Sequence, residues 1–145
     1  MTDANRTFLG SVHRNQPEQY EAPAGATITP GMLVQTDDGT LIPHGDAGES
    51  GFVYVAKELT ANFAAGGGIN EDYSAEETAQ AYIPTSGDMY RMLVATGQAV
   101  AFDTPLESNG AGLLVVQAEG EVICYADESD IGTTDGTTPV RVKFK

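Results

Sequence analysis

Tryptophan is absent from this chain, and cysteine occurs once, as Cys124 in "EVICYA". A single cysteine excludes an intramolecular disulfide and a cysteine-cluster metal site; within an apolar strand pattern it reads as a small buried thiol. Lysine and arginine are scarce, 7 against 21 Asp and Glu, for a net charge of −14. Phosphate binding needs clustered cations, so nucleic acid is disfavoured as a partner. No apolar run approaches the ~18 residues of a membrane span, and the opening "MTDANRTFLG" has no apolar signal core. The expectation is a soluble chain with no membrane partner. The two histidines, His13 and His44, lack the HxxxH or HExxH spacing that puts two imidazoles on one face. Neither a metal nor another cofactor is expected.

What the chain does have is punctuation. With 17 Gly and 7 Pro, long uninterrupted helices are disfavoured and many short elements joined by tight turns are favoured. "ATITPGMLVQTDDGTLIPH" places apolar runs on either side of Asp37, Asp38 and Gly39, a hairpin signal. "GFVYVAKEL" reads as a buried central strand starting near Phe52 and Val53. "AQAYIP" and "DMYRMLVA" are strands split by the turn cluster 84–87, and "QAVAF" is a further short strand. Asn109 and Gly110 separate "TPLES" from "LLVVQ" as a second hairpin, "EVICYA" continues the sheet, and Asp135 and Gly136 mark another turn. In the closing "PVRVKFK", Val140, Val142 and Phe144 fall on one face and Arg141, Lys143 and Lys145 on the other, as a half-buried strand requires. About eight or nine strands with regular turn signals predict an all-β fold, a compact β-barrel or β-sandwich over residues 26–145. Residues 60–78, "TANFAAGGGINEDYSAEET", read as a long loop, because Gly66, Gly67 and Gly68 would end any helix that Leu59 and Phe63 began.

Residues 1–25 are polar and lack sustained periodicity, so they read as an extended N-terminal arm. Its isolated hydrophobes Phe8, Leu9, Val12 and Tyr20 are the candidate contact residues, carried to order on a partner or a neighbouring copy; a disordered tail is the alternative. On this reading, deleting residues 1–25 abolishes partner binding and leaves the core folded.

Chemistry finds little support. "GESG", residues 48–51, lacks the spacing of a nucleophile elbow, so Ser50 is dismissed as a nucleophile. "AAGGGIN" has no following Lys-Ser/Thr and is not a phosphate loop. The acidic run Asp127–Asp130 and the pair Glu71 and Asp72 do not follow a Ca²⁺-loop pattern and read as solvated acidic loops. The chain is therefore not expected to be an enzyme, and no catalytic residue is assigned.

The cations are unevenly placed: Arg6 and Arg14 near the start, Arg141, Lys143 and Lys145 at the end, and only Lys57 and Arg91 between. Basic ends of this kind would meet an acidic partner. Three Lys against fifteen Thr in so acidic a chain also point to adaptation to high salt, where a Debye length of about 3 Å at molar salt screens self-repulsion; simple solubility through net charge is the plainer reading.

"GQAVAFDTPLE" is similar to the hammerhead turns of biotinyl and lipoyl carrier domains, but no Met-Lys-Met or Asp-Lys hairpin tip is present and the only interior lysine is Lys57. That likeness is read as turn geometry. Over residues 26–145, the order "ITPGMLVQ", "VYVAKEL", "GINEDYSAEETAQAYIPTSGDMYRMLVATGQAVAFDTPLES" and "GLLVV" resembles the small capsid decoration, or cement, proteins of tailed viruses. Phe102-Asp103 stands where that family usually has Gly-Asp. The resemblance implies a homotrimer bound at three-fold or quasi-three-fold positions on the outer capsid surface of the virion, with the major capsid protein as partner. Its role would be to stabilise the shell without chemistry, in a virus of a halophilic host. The alternatives are another virion component, a head-fibre base or tail-associated protein, and a carrier or small-ligand-binding β-barrel.

Overall fold

The computed structural model describes residues 7–11, 17–58 and 72–145. Among them there is no helix; thirteen strands form a six-stranded sheet, a five-stranded sheet and a two-stranded ribbon. The five-stranded sheet has the order β2 (Glu18–Pro23), β6 (Thr78–Ile83), β5 (Tyr54–Ala56), β3 (Leu33–Asp37), β4 (Thr40–Pro43). The six-stranded sheet runs β1 (Phe8–Gly10), β7 (Met89–Met92), β13 (Val140–Phe144), β11 (Cys124–Ala126), β9 (Pro105–Ser108), β10 (Leu114–Val116). β8 (Ala99–Val100) and β12 (Gly132–Thr133) make the ribbon. All the strand pairings are antiparallel.

The expected all-β fold is found, as a sandwich of two curled sheets. Each sheet curls until a parallel bridge joins its far sides, Ala24 to Leu41 in one and Val94 to Leu114 in the other. The five-stranded sheet buries both faces. Leu33, Val55 and Tyr82 are in register and pack into the larger cluster with Tyr90, Met92, Leu106, Leu114 and Val142. The alternate residues Val34, Ala56 and Ala81 turn into a second cluster with Ala22, Ala24, Ile28, Leu41, Tyr73 and Ala79. Alanines let the curled strands approach closely, and Tyr73 and Ile28, paired by their own bridge, fill the space that remains.

The β3–β4 hairpin closes through Asp38 at φ 48° and Gly39 at φ 83°, the doubly positive turn that matches strand twist. The β9–β10 connection is longer than its Asn-Gly pair implies. The Asn109 side chain accepts the N–H groups of Ala111 at 2.7 Å and Leu113 at 3.1 Å, organising a loop over 109–113. β13 alternates as its sequence requires, with Val140, Val142 and Phe144 buried and Arg141 and Lys143 exposed. It lies inside the sheet, between β7 and β11. β5 is central as expected but begins at Tyr54; Phe52 lies outside it and is 89% exposed. More strands form than the eight or nine expected, because two- and three-residue strands such as β1 and β12 are set by register and leave no periodic trace.

The described parts of residues 1–25 are strands of the body. β1 pairs with β7 at one edge and β2 makes a six-residue ladder with β6 at another. Strand pairing satisfies the backbone of a segment too polar to have shown a hydrophobic period. The loop read over 60–78 lies outside the described residues as far as residue 71; from there Tyr73 enters the core and Glu76 N–H bonds Ala24 O at 2.7 Å.

Candidate functional site

Of the four candidate contact residues three are described, and the two aromatic ones, Phe8 and Tyr20, are seated on different core clusters. The Phe8 ring lies against Tyr82 and Tyr90 with centroids 5.8 and 5.4 Å apart, packed on the larger core. Tyr20 stacks on Tyr54 at 5.4 Å against the smaller one. Leu9 is half-buried at the bulge between Phe8 and Gly10. Val12 lies outside the described residues. The start of β1 is further held by Glu58, a buried carboxylate that accepts the Thr7 N–H at 2.9 Å and the Tyr82 hydroxyl at 3.2 Å. Nothing in "VAKEL" marks Glu58 as buried; its partners Thr7 and Tyr82 come from distant parts of the chain.

Groups with chemical potential are enclosed or engaged. Cys124 is fully buried, and burial pushes its thiol well above the ordinary value. His44 Nδ1 lies 2.7 Å from Ser108 Oγ, which also accepts the Gly110 N–H at 3.1 Å. Both residues are buried, so the pair joins the end of β4 to β9 between the sheets. Ser50 donates to Glu121 at 2.6 Å. Lys57, the lysine a carrier domain would modify, donates to Gln19 at 3.1 Å and lies 5.9 Å from the Tyr82 ring centroid. It follows the central strand and is not at a hairpin tip.

Two polar clefts open at the surface. One, of about 230 Å³, is lined by residues including Gln35, His44, Glu49, Ser50 and Phe52. The other, of about 210 Å³, lies between Glu128, Asp130 and Asp135. Asp135 accepts the N–H and hydroxyl of both Thr137 and Thr138, and these bonds hold its carboxyl well below the usual range. No group of three or more His, Cys, Asp or Glu suited to a metal occurs among the described residues.

The surface of unusual character is the outer face of the six-stranded sheet. Tyr90, Met92, Val140 and Val142 point inward, so the residues between them point out. Register then sets Arg91 opposite Arg141, Met89 opposite Lys143, and Tyr125 opposite both Lys143 and Pro105. Arg141 Nε donates to Asp127 O at 2.8 Å, and its side chain remains 48% exposed. Tyr125 is 37% exposed. Across β9 and β10 this face is closed over. Ala118 N–H bonds Glu107 at 3.1 Å, Gly48 N–H bonds Ser108 O at 3.0 Å, and a Cβ on Gly120 would run into the Glu107 carboxylate and Gly48. Among the described residues, the part of this face left uncovered is therefore β7, β13 and β11. The alternation of "PVRVKFK" showed half of this strip; Arg91 and Tyr125 join it only through register.

No protein-family model matches the chain, and no curated protein matches it. Among solved structures it is similar to the N base of the head fibre protein gp8.5 of bacteriophage phi29, with a TM-score of 0.53. The likeness is one of fold. Identity is 12%, and the match covers 90% of this chain and 95% of the other. It therefore takes in both sheets and nearly the whole of the fibre base, and no residue roles pass with it.

Proposed function

We propose that this chain is a virion structural protein that attaches to the outside of a tailed-virus head and acts there by contact alone. The observation that carries the reading is the fold shared, over nearly the full length of both chains, with the base of a phage head fibre. The composition agrees: a chain of net charge −14 suits a surface kept apart from packaged DNA. The enclosure of Cys124, Ser108 and His44 supports a role without covalent chemistry.

In its finer form the proposal is the cement role: a homotrimer on the major capsid protein shell, at three-fold or quasi-three-fold positions, adding interface area between neighbouring subunits. The ordered motifs over residues 26–145 support it. The second reading, a head-fibre base, is favoured by the fold likeness and places the chain at the same surface. Cosedimentation with emptied heads of the source virus at high salt tests both. A cement protein saturates at a fixed ratio near that of the shell subunit; a fibre base saturates far below it; absence from the pellet at every salt concentration overturns both.

A further inference from the structure

We propose that the open outer face of the six-stranded sheet, over β7, β13 and β11, is the face that docks, and that its partner is an acidic protein surface on the shell. This rests on the reading of the chain as a head-surface protein. Arg91, Arg141, Lys143 and Lys145 belong to this face and its margin. They are four of the seven Lys and Arg in the chain. Met89 and Tyr125 stand in the same register row as Lys143, so apolar and aromatic surface is interleaved with the cations. Aromatic anchors beside arginines are the composition of protein–protein contact centres.

Arg91 lies directly opposite Arg141, whose guanidinium is held by Asp127 at the margin, with Nε 3.5 Å from a carboxylate oxygen. Among the described residues, the exposed charged side chains on the strands of the far sheet are acidic: Glu18, Glu21 and Asp37. An acidic partner therefore attracts one side of the molecule and repels the other, which fixes orientation as well as contact. Nucleic acid is the poorer fit. The cations form a short strip interleaved with Met89 and Tyr125, which offers a phosphate chain no continuous cationic track.

The test compares three full-length proteins in cosedimentation with emptied heads. The strip variant is Arg91→Gln, Arg141→Gln, Lys143→Gln; the matched control is Gln19→Glu, Thr36→Glu, Thr78→Glu on the other sheet. Each lowers the net charge of −14 by three, so bulk electrostatics are equal. Tyrosine near-UV circular dichroism verifies that each is folded, and a milder Lys143→Gln variant serves if the triple variant is not. The strip variant is expected to bind about tenfold or more weakly, in keeping with three lost charge contacts, with the control close to wild type. Equal weakening of both overturns the assignment of this face, as does unchanged binding by the strip variant. Failure of the wild type itself to bind overturns the head-surface reading instead. A short DNA duplex bound by the wild type and lost in the strip variant overturns the acidic-protein partner.

Discussion

Phe8→Ala separates a strand of the body from an appended arm. The ring is half-buried and touches Tyr82 and Tyr90, one from each sheet. Truncating a fully buried phenylalanine costs about 3–5 kcal/mol. Half burial brings this to about 2 kcal/mol, and two tilted aromatic contacts, at about 0.5–1.5 kcal/mol each, keep it from falling much lower. For a domain of this size, about 1 kcal/mol lowers Tm by roughly 2–4 °C, so the expected drop is about 4–8 °C. The chain has no Trp, so unfolding is followed by near-UV circular dichroism of its six tyrosines, among them Tyr82 and Tyr90 of the Phe8 cluster. An unchanged Tm with an unchanged spectrum refutes the docking of β1 and returns residue 8 to a free arm.

Deleting residues 1–25 removes one edge strand from each of the two larger sheets and the buried Ala22 and Ala24, so the truncated chain is expected to unfold well below wild type in a thermal scan rather than keep an intact core. Tyr73, its hydroxyl 3.0 Å from Lys57 O, is pushed up to about 12 chiefly by burial. The unfolded chain releases that proton near pH 10, so stability falls between about pH 10 and 12, by about 3 kcal/mol for this group. Tyr73→Phe should flatten that part of the alkaline unfolding curve. The Asp135 carboxyl is depressed by its Thr137 and Thr138 bonds, so its contribution is full above the unfolded carboxylate range and is lost as pH falls below about 4. Asp135→Asn should reduce the acid-side slope of Tm against pH. Lowering salt from molar to about 0.01 M extends the Debye length from about 3 to 30 Å. With a net charge of −14, Tm is expected to fall, and an unchanged Tm counts against adaptation to high salt.

Fold class was legible because turn chemistry is local. Asp38-Gly39 and the alternation of residues 140–144 each carry their geometry within a few residues. The edge strands of residues 1–25 were not, because β2 is polar on its outer side and buries little but Ala22; its place is decided by the ladder with β6, some sixty residues away. The same limit hid the cationic strip. Arg141 and Lys143 were visible as one face, but Arg91 and Tyr125 are brought beside them by pairings that no window of sequence contains. Phe8 and Tyr20 stood out as isolated hydrophobes for a physical reason: each is the apolar residue that seats its strand on a core built by distant segments.

The most direct test of the head-surface reading is electron cryomicroscopy of heads of the source virus at high salt, with and without added protein. The reading predicts density of this two-sheet shape on the outer surface, with β7, β13 and β11 toward the shell. Indistinguishable maps, or density on the inner surface, would contradict it.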